Sequence, residues 1–224
     1  YMRGIAAWLQ FGSFGLISYY SKTRFDAGQG SGYHRTYNEI IDRHSLNAVN
    51  YGGRIYYRHN HFKAGVILNL SRFSPELTST DQLYNQFKAR GHKFANFGVD
   101  YDIRLFRHSN LFGEISASQN LSVAFITGLI SLLHPKISIA KVIRNYPADH
   151  IGIHGGGFSE AGYIQNEKGF YLGISVNPLP RLTIKAYADL YTFPWIRYQV
   201  DAPSSGYDLL IQATYTLNRC VQFY

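Results

Sequence analysis

The most regular feature of the chain is an alternation of apolar and polar positions. From Ala95 onward, Ala95, Phe97, Val99, Tyr101, Ile103 and Leu105 alternate with Asn96, Gly98, Asp100, Asp102 and Arg104. Leu182, Ile184, Ala186, Ala188 and Leu190 do the same against Thr183, Lys185, Tyr187, Asp189 and Tyr191. Phe62, Ala64, Val66, Leu68 and Leu70 stand against Lys63, Gly65, Ile67, Asn69 and Ser71, and Leu209, Ile211, Ala213, Tyr215 and Leu217 against Asp208, Gln212, Thr214 and Thr216. Successive side chains of a strand point to opposite faces, so such runs predict strands with one apolar and one polar face. Runs of this kind predict strands at 4–11, 14–23, 51–58, 62–72, 94–106, 111–118, 121–133, 137–145, 167–177, 182–193 and 206–217, with a twelfth beginning at Cys220. Two fit imperfectly. The run 137–145 puts Lys141 in phase with Ile137 and Ile139, and 121–133 is apolar on both faces.

The connections sort by length. Gly12-Ser13, 59–61, 107–110, 134–136, 178–181 and 218–219 are short, whereas 24–50, 73–93, 146–166 and 194–205 are long, with Gln119-Asn120 a short exception. Long strands, short turns on one edge and long loops on the other predict an antiparallel transmembrane β-barrel of about twelve visible strands, with periplasmic turns and extracellular loops. A soluble sandwich has shorter strands and no reason to segregate its loops by edge. Asn38–Leu46 (NEIIDRHSL) is expected to form a short helix within the first long loop. The final run is about half the length needed to cross a bilayer. Together with a start on Tyr1 and the absence of a signal peptide, this leads to the expectation that 1–224 is one barrel domain belonging to a longer protein.

Composition adds detail to this picture. Aromatic residues make up 16% of the chain, with 19 Tyr and 15 Phe, a bias that suits pleated surfaces. The formal charge of +8 is scattered, as expected for a solvated surface or a polar lumen. The single cysteine, Cys220, allows no intrachain disulfide. The longest apolar stretch, around Leu121–Leu133, is too short and too interrupted to be a membrane-spanning helix.

Nine histidines raise the question of a metal, but neither His59/His61 nor His150/His154 has the spacing of a zinc site. No metal or other cofactor is expected. Ser159-Glu160 with His150 and Asp149 is the nearest approach to a hydrolytic constellation, and it lacks a nucleophile elbow. The Gly155–Gly157 run lacks the lysine and hydroxyl of a phosphate loop. The polar-face charges Arg54, Arg58, Lys63, Asp100, Asp102, Arg104, Glu114, Lys185 and Asp189 are expected to face a lumen, either tuning permeation or cross-linking the wall. Polar-face positions such as Asn96 and Thr183 are expected to accept an arginine. Tyr19, Tyr20, Tyr56, Tyr57, Tyr191, Phe193, Trp195 and Tyr198 suit interfacial girdles. Phe193–Tyr207 contains Pro194 and Pro203 and must leave the sheet. Its apolar content predicts a plug or docking loop built on Phe193, Trp195, Arg197, Tyr198 and Asp201, with Arg197 and Asp201 able to pair.

Several segments resemble the barrel region of Bacteroidota outer-membrane proteins that carry an N-terminal helix-hairpin-helix (ComEA-type) domain. They are RGIAAWLQFGSFGLISYYSKTRFDA (3–27), SGYHRTYNEI (31–40), NFGVDYDIRLFRHSNLFGEIS (96–116), RNYPADH (144–150), FSEAGYIQNEKGFYLGI (158–174) and, most specific, YADLYTFPWIRYQVDAPSSGYDLL (187–210). The resemblance implies a barrel in the Gram-negative outer membrane. It brings no catalytic residues, and its DNA link attaches to no residue of this chain. Three functions follow as expectations. The first is a channel or scaffold subunit of an envelope complex, in contact with outer-membrane lipid and other envelope proteins, with DNA or macromolecule passage as one role it could serve. The others are a membrane-embedded hydrolase using 146–166, and a soluble β-rich binding module.

Overall fold

A computed structural model describes residues 3–26, 33, 35–218 and 221–223. Cys220, where the twelfth strand was expected to begin, lies outside the described residues, as does part of the first long loop around Gly30. One antiparallel sheet contains twelve strands in chain order, each paired with its sequence neighbours. They are β1 (Arg3–Phe11), β2 (Phe14–Phe25), β3 (Leu46–Arg58), β4 (Phe62–Leu77), β5 (Gly91–Leu105), β6 (Ser109–Ser118), β7 (Val123–His134), β8 (Ile137–Tyr146), β9 (Glu167–Leu179), β10 (Leu182–Phe193), β11 (Ser204–Asn218) and β12 (Val221–Phe223). Helix α1 (Tyr37–Ile41) covers only the first part of the expected Asn38–Leu46 helix, since Leu46 already opens β3, and among the described residues a single 3-10 turn occupies Leu83–Asn85. No pairing joins β1 to β12 among the described residues, so the sheet is not closed.

The register carries the sequence alternation into three dimensions. Val66 pairs with Val99, Leu68 with Phe97 and Leu70 with Ala95, so the apolar sets of β4 and β5 share a face. Ala186 with Ile211 and Ala188 with Leu209 extend it across β10 and β11. This outer face is open to its surroundings, with Leu209 61% and Ile211 83% exposed. Lys141 lies on it too, opposite Leu129 and Leu172. The other, inner face carries the loop 147–166.

Two expectations are corrected here. Tyr19 and Tyr56 point to the inner face, where Tyr19 donates to Asn69 Oδ1 at 2.6 Å and Trp8 Nε1 donates to the buried Tyr56 hydroxyl at 3.0 Å. Tyr191 and Phe193 share that face, opposite Gly206 and Ser204. Adjacent residues such as Tyr19 and Tyr20 cannot share a face in a pleated strand, so the aromatic residues do not form one outward girdle. In addition, β3 begins at Leu46, before the expected Tyr51, and β4 runs to Leu77, beyond the expected Arg72. There the inner face turns apolar. Leu46, Ala48, Phe73 and Phe94 form a buried cluster against which Ile151 and Ile153 pack.

Candidate functional site

Arginines on the inner face reach across intervening strands. Arg54 of β3 donates from Nε to Asp100 Oδ1 of β5 at 2.8 Å, with a second bond from Nη2 to Oδ2. The pair passes over Gly65 of β4, where a Cβ would stand 2.7 Å from the Asp100 carboxylate. Arg144 of β8 makes a larger arrangement. It donates to Glu167 Oε1 at 2.6 Å and to both Asp189 oxygens at 2.8 and 3.1 Å, passing over Gly169. Arg144 is 1% exposed and Glu167 0%. Burial of this kind demands full pairing, because an unmatched ion in a low dielectric is costly. Glu167 also accepts the backbone N–H groups of Glu160 and Ala161 at 3.0–3.2 Å, and Phe158 lies beneath the guanidinium at 5.0 Å. The charge cluster therefore fixes both the wall and the returning end of loop 147–166. Among the residues expected at the site, Asp189 is here; Arg144 and Glu167 were not anticipated, although both occupy polar-face phases.

The loop crosses the inner face from β8 to β3, five strands away. His154 Nε2 meets Asn50 Oδ1 at 2.7 Å across 104 residues of sequence, and Asn96 Nδ2 donates to the Ile151 carbonyl at 2.7 Å. Asn96 is therefore an anchor, and the expected tolerance of an arginine there is withdrawn. Ser122 Oγ donates to Asp149 Oδ1 at 2.7 Å, and His150 donates from Nδ1 to the Ser122 carbonyl at 3.0 Å. His150 is fully buried and its Nε2 has no partner. Burial pushes its pKa below the ordinary 6.5 against the opposing pull of the Ser122 carbonyl and Asp149; burial likewise lowers His154. Under the loop, Glu114 opens onto two small cavities of about 240 and 210 Å³, shared with Ser116, His154, Gly155 and Ile164.

The expected hydrolytic set does not assemble. Ser159 Oγ is buried without a partner, while His150 and Asp149 are both engaged by Ser122. No nucleophile–base hydrogen bond links Ser159 to His150.

The stretch that leaves the sheet is shorter than the expected Phe193–Tyr207: Phe193 ends β10 paired with Ser204 of β11, and only 194–203 lies outside, packing at the same end on its neighbours and not across the inner face. Trp195 exchanges hydrogen bonds with Asn166 at 2.7 and 3.0 Å, donates from Nε1 to the Leu83 carbonyl at 3.1 Å and meets Phe87 edge-on at 5.0 Å. Tyr198 touches Tyr84 at 5.6 Å. The expected Arg197–Asp201 pair does not form among the described residues. A tight turn bonds Arg197 to Val200 through both backbone groups and sends the guanidinium over the Phe193 ring, 3.9 Å from its centre.

Lys185 lies on the inner face between Ser175 and Gln212. The remaining expected residues, Arg58, Lys63, Asp102 and Arg104, gather at the turn end around an open cavity of about 550 Å³ that His59 and His61 also line. No family model matches the chain, and no curated protein matches it either.

Proposed function

We propose that this chain is an outer-membrane β-barrel protein acting as a channel, with its outer face in lipid and its lumen narrowed by loop 147–166. The observation that supports the reading is the outer face itself, a band of exposed apolar side chains from Ile5 on β1 through Val99, Leu172 and Leu190 to Ile211 on β11, interrupted at Lys141. Water-soluble monomers rarely expose an apolar patch larger than a few hundred Å². Strands of nine to sixteen residues, from β1 to β4, suit the thickness of a bilayer. A bare strand edge does not persist in hydrocarbon, so the reading requires the outer edge of β1 to be paired, by the last strand of this chain or by another strand. The resemblance of 187–210 to a barrel-bearing family agrees with the same compartment.

The test is heat-modifiable migration in detergent gels followed by planar-bilayer recording. A folded form that migrates differently from the boiled one, and discrete conductance steps that enlarge when 151–156 is deleted, are expected. A protein that stays monomeric and soluble without detergent would overturn the membrane reading, and a folded barrel without conductance would overturn the channel.

A further inference from the structure

We propose that the turn-end basin on the inner face is a binding site for small, multiply charged oxyanions of the phosphate class. Arg54 and Arg144 each meet carboxylates directly. Arg58, Lys63 and Arg104 form no ion pair among the described residues, although all three line one cavity. Arg58 and Lys63 are also direct cross-strand partners between β3 and β4. Like charges placed opposite each other destabilise a sheet, so this pair opposes folding. Sites where a local rule is broken without compensation are where function is expected.

Asp102 is the single carboxylate lining the basin among the described residues, too few to neutralise the cations. Asp102 stands opposite Lys63 in register but accepts from the Asn110 amide at 3.0 Å, in the orientation its neighbours dictate. Three cations against one carboxylate leave a net charge of +2. The cationic heads of Arg58 and Lys63 lie over the buried Tyr56 ring, Cζ at 5.8 Å and Nζ at 5.0 Å, contacts that hold them at the basin wall without neutralising their charge. Guanidinium forks match phosphate oxygens two at a time. The cavity, at about 550 Å³, holds a phosphate or a small organic phosphate with its hydration. The basin opens on the inner face, away from the apolar band, which favours a dissolved anion over a lipid headgroup.

The proposal deepens the channel reading by naming the solute class, and its test does not depend on conduction. Inorganic pyrophosphate is titrated calorimetrically into the detergent-solubilised protein at fixed ionic strength, with sodium chloride as the matched control. Saturable binding is expected, weakened about tenfold or more by Arg58→Gln or by Arg104→Gln, each removing charge-assisted bonds. Lys93→Gln, at the opposite end of β5, is expected to bind as the parent does. A second arm titrates dioctanoyl phosphatidylglycerol, which is expected to bind more weakly than pyrophosphate. Each variant is first checked for heat-modifiable migration, and either of the two arginine variants suffices. Absence of saturable pyrophosphate binding by the folded protein, equal weakening by Lys93→Gln, or a preference for the lipid overturns the site. Binding without conductance would leave the site standing and remove the channel; conductance without binding would do the reverse.

Discussion

The two ends of the inner face treat charge in opposite ways. At the loop end Arg144 is buried and fully matched by Glu167 and Asp189, and a loop lies over it. At the turn end Arg58 and Arg104 are exposed, Lys63 is half-buried, and none forms an ion pair among the described residues. The difference separates two uses of an ionic side chain. A buried ion that finds every partner specifies structure, because any alternative packing strands a charge. Cations that are left open and set against each other lower stability and retain the capacity to bind something else.

The strongest way to break this comparison is to remove Arg144. Arg144→Met leaves Glu167 and Asp189 buried with the guanidinium gone, and the expected loss is about 3–5 kcal/mol. Arg104→Gln, at the open end, is expected to change stability by less than about 0.5 kcal/mol. Urea unfolding of both variants from bilayers gives the two numbers. Similar losses would show that the ends do not differ. A smaller effect sharpens the contrast between faces. Leu172→Arg, in the middle of the outer face, is expected to cost about 2–4 kcal/mol in a bilayer. Thr183→Arg, on the inner face, is expected to cost far less, and equal costs would remove the lipid assignment.

Much of the sheet was legible because period two is a local signal. Val66, Phe97, Leu209 and their neighbours lie on the face that the alternation assigns them, and turn and loop lengths sort by edge as read. The inward loop was not legible, because its partners are distant in sequence. Nothing near His154 announces Asn50, and nothing near Arg144 announces Asp189. One clue was present. Leu46, Ala48, Phe73 and Phe94 are apolar at positions in phase with the polar face, which makes sense only if something covers that face. Trp195 is the reverse case. The apolar composition of its segment predicted buried aromatic residues, yet Trp195 is only half-buried, against a neighbouring loop and not the inner face, and Tyr198 stays 68% exposed. The turn-end residues Arg58, Lys63, Asp102 and Arg104 could be assigned a face from their phase, whereas their convergence on one cavity depends on strand register.

A next step probes the loop anchors singly. Asn96→Ala removes one hydrogen bond to the Ile151 carbonyl, and about 1 kcal/mol of docking free energy is expected to go with it. Limited proteolysis between Gly155 and Gly157 reads this as a modest rise in cleavage rate. An unchanged rate would mean that the apolar packing of Ile151 and Ile153 and the other polar anchors, such as His154 on Asn50, hold the loop without Asn96.

The smallest expected effect is a response to pH, and its sign follows from burial. His150 and His154 both have pKa values lowered below 6.5 when the loop is docked. A released loop regains water around both rings, so it takes up protons at a pH where the docked loop refuses them. Docking is therefore favoured fully above about 6.5 and loses free energy as the pH falls below that value, because proton uptake drives release. His150 dominates, since its Nε2 is enclosed without a partner and a proton there would be stranded. Its Nδ1 bond to the Ser122 carbonyl, which tolerates the charged ring, and the nearby Asp149 carboxylate both moderate the shift. Cleavage between Gly155 and Gly157 should thus accelerate from pH 7.5 to 5.5, with a protease whose own pH dependence is measured on an unfolded substrate. In His150→Gln that acceleration should shrink, with the remainder assigned to His154. A rate that falls on acidification would reverse the sign and show that the histidines are held by their charge and not by their neutrality.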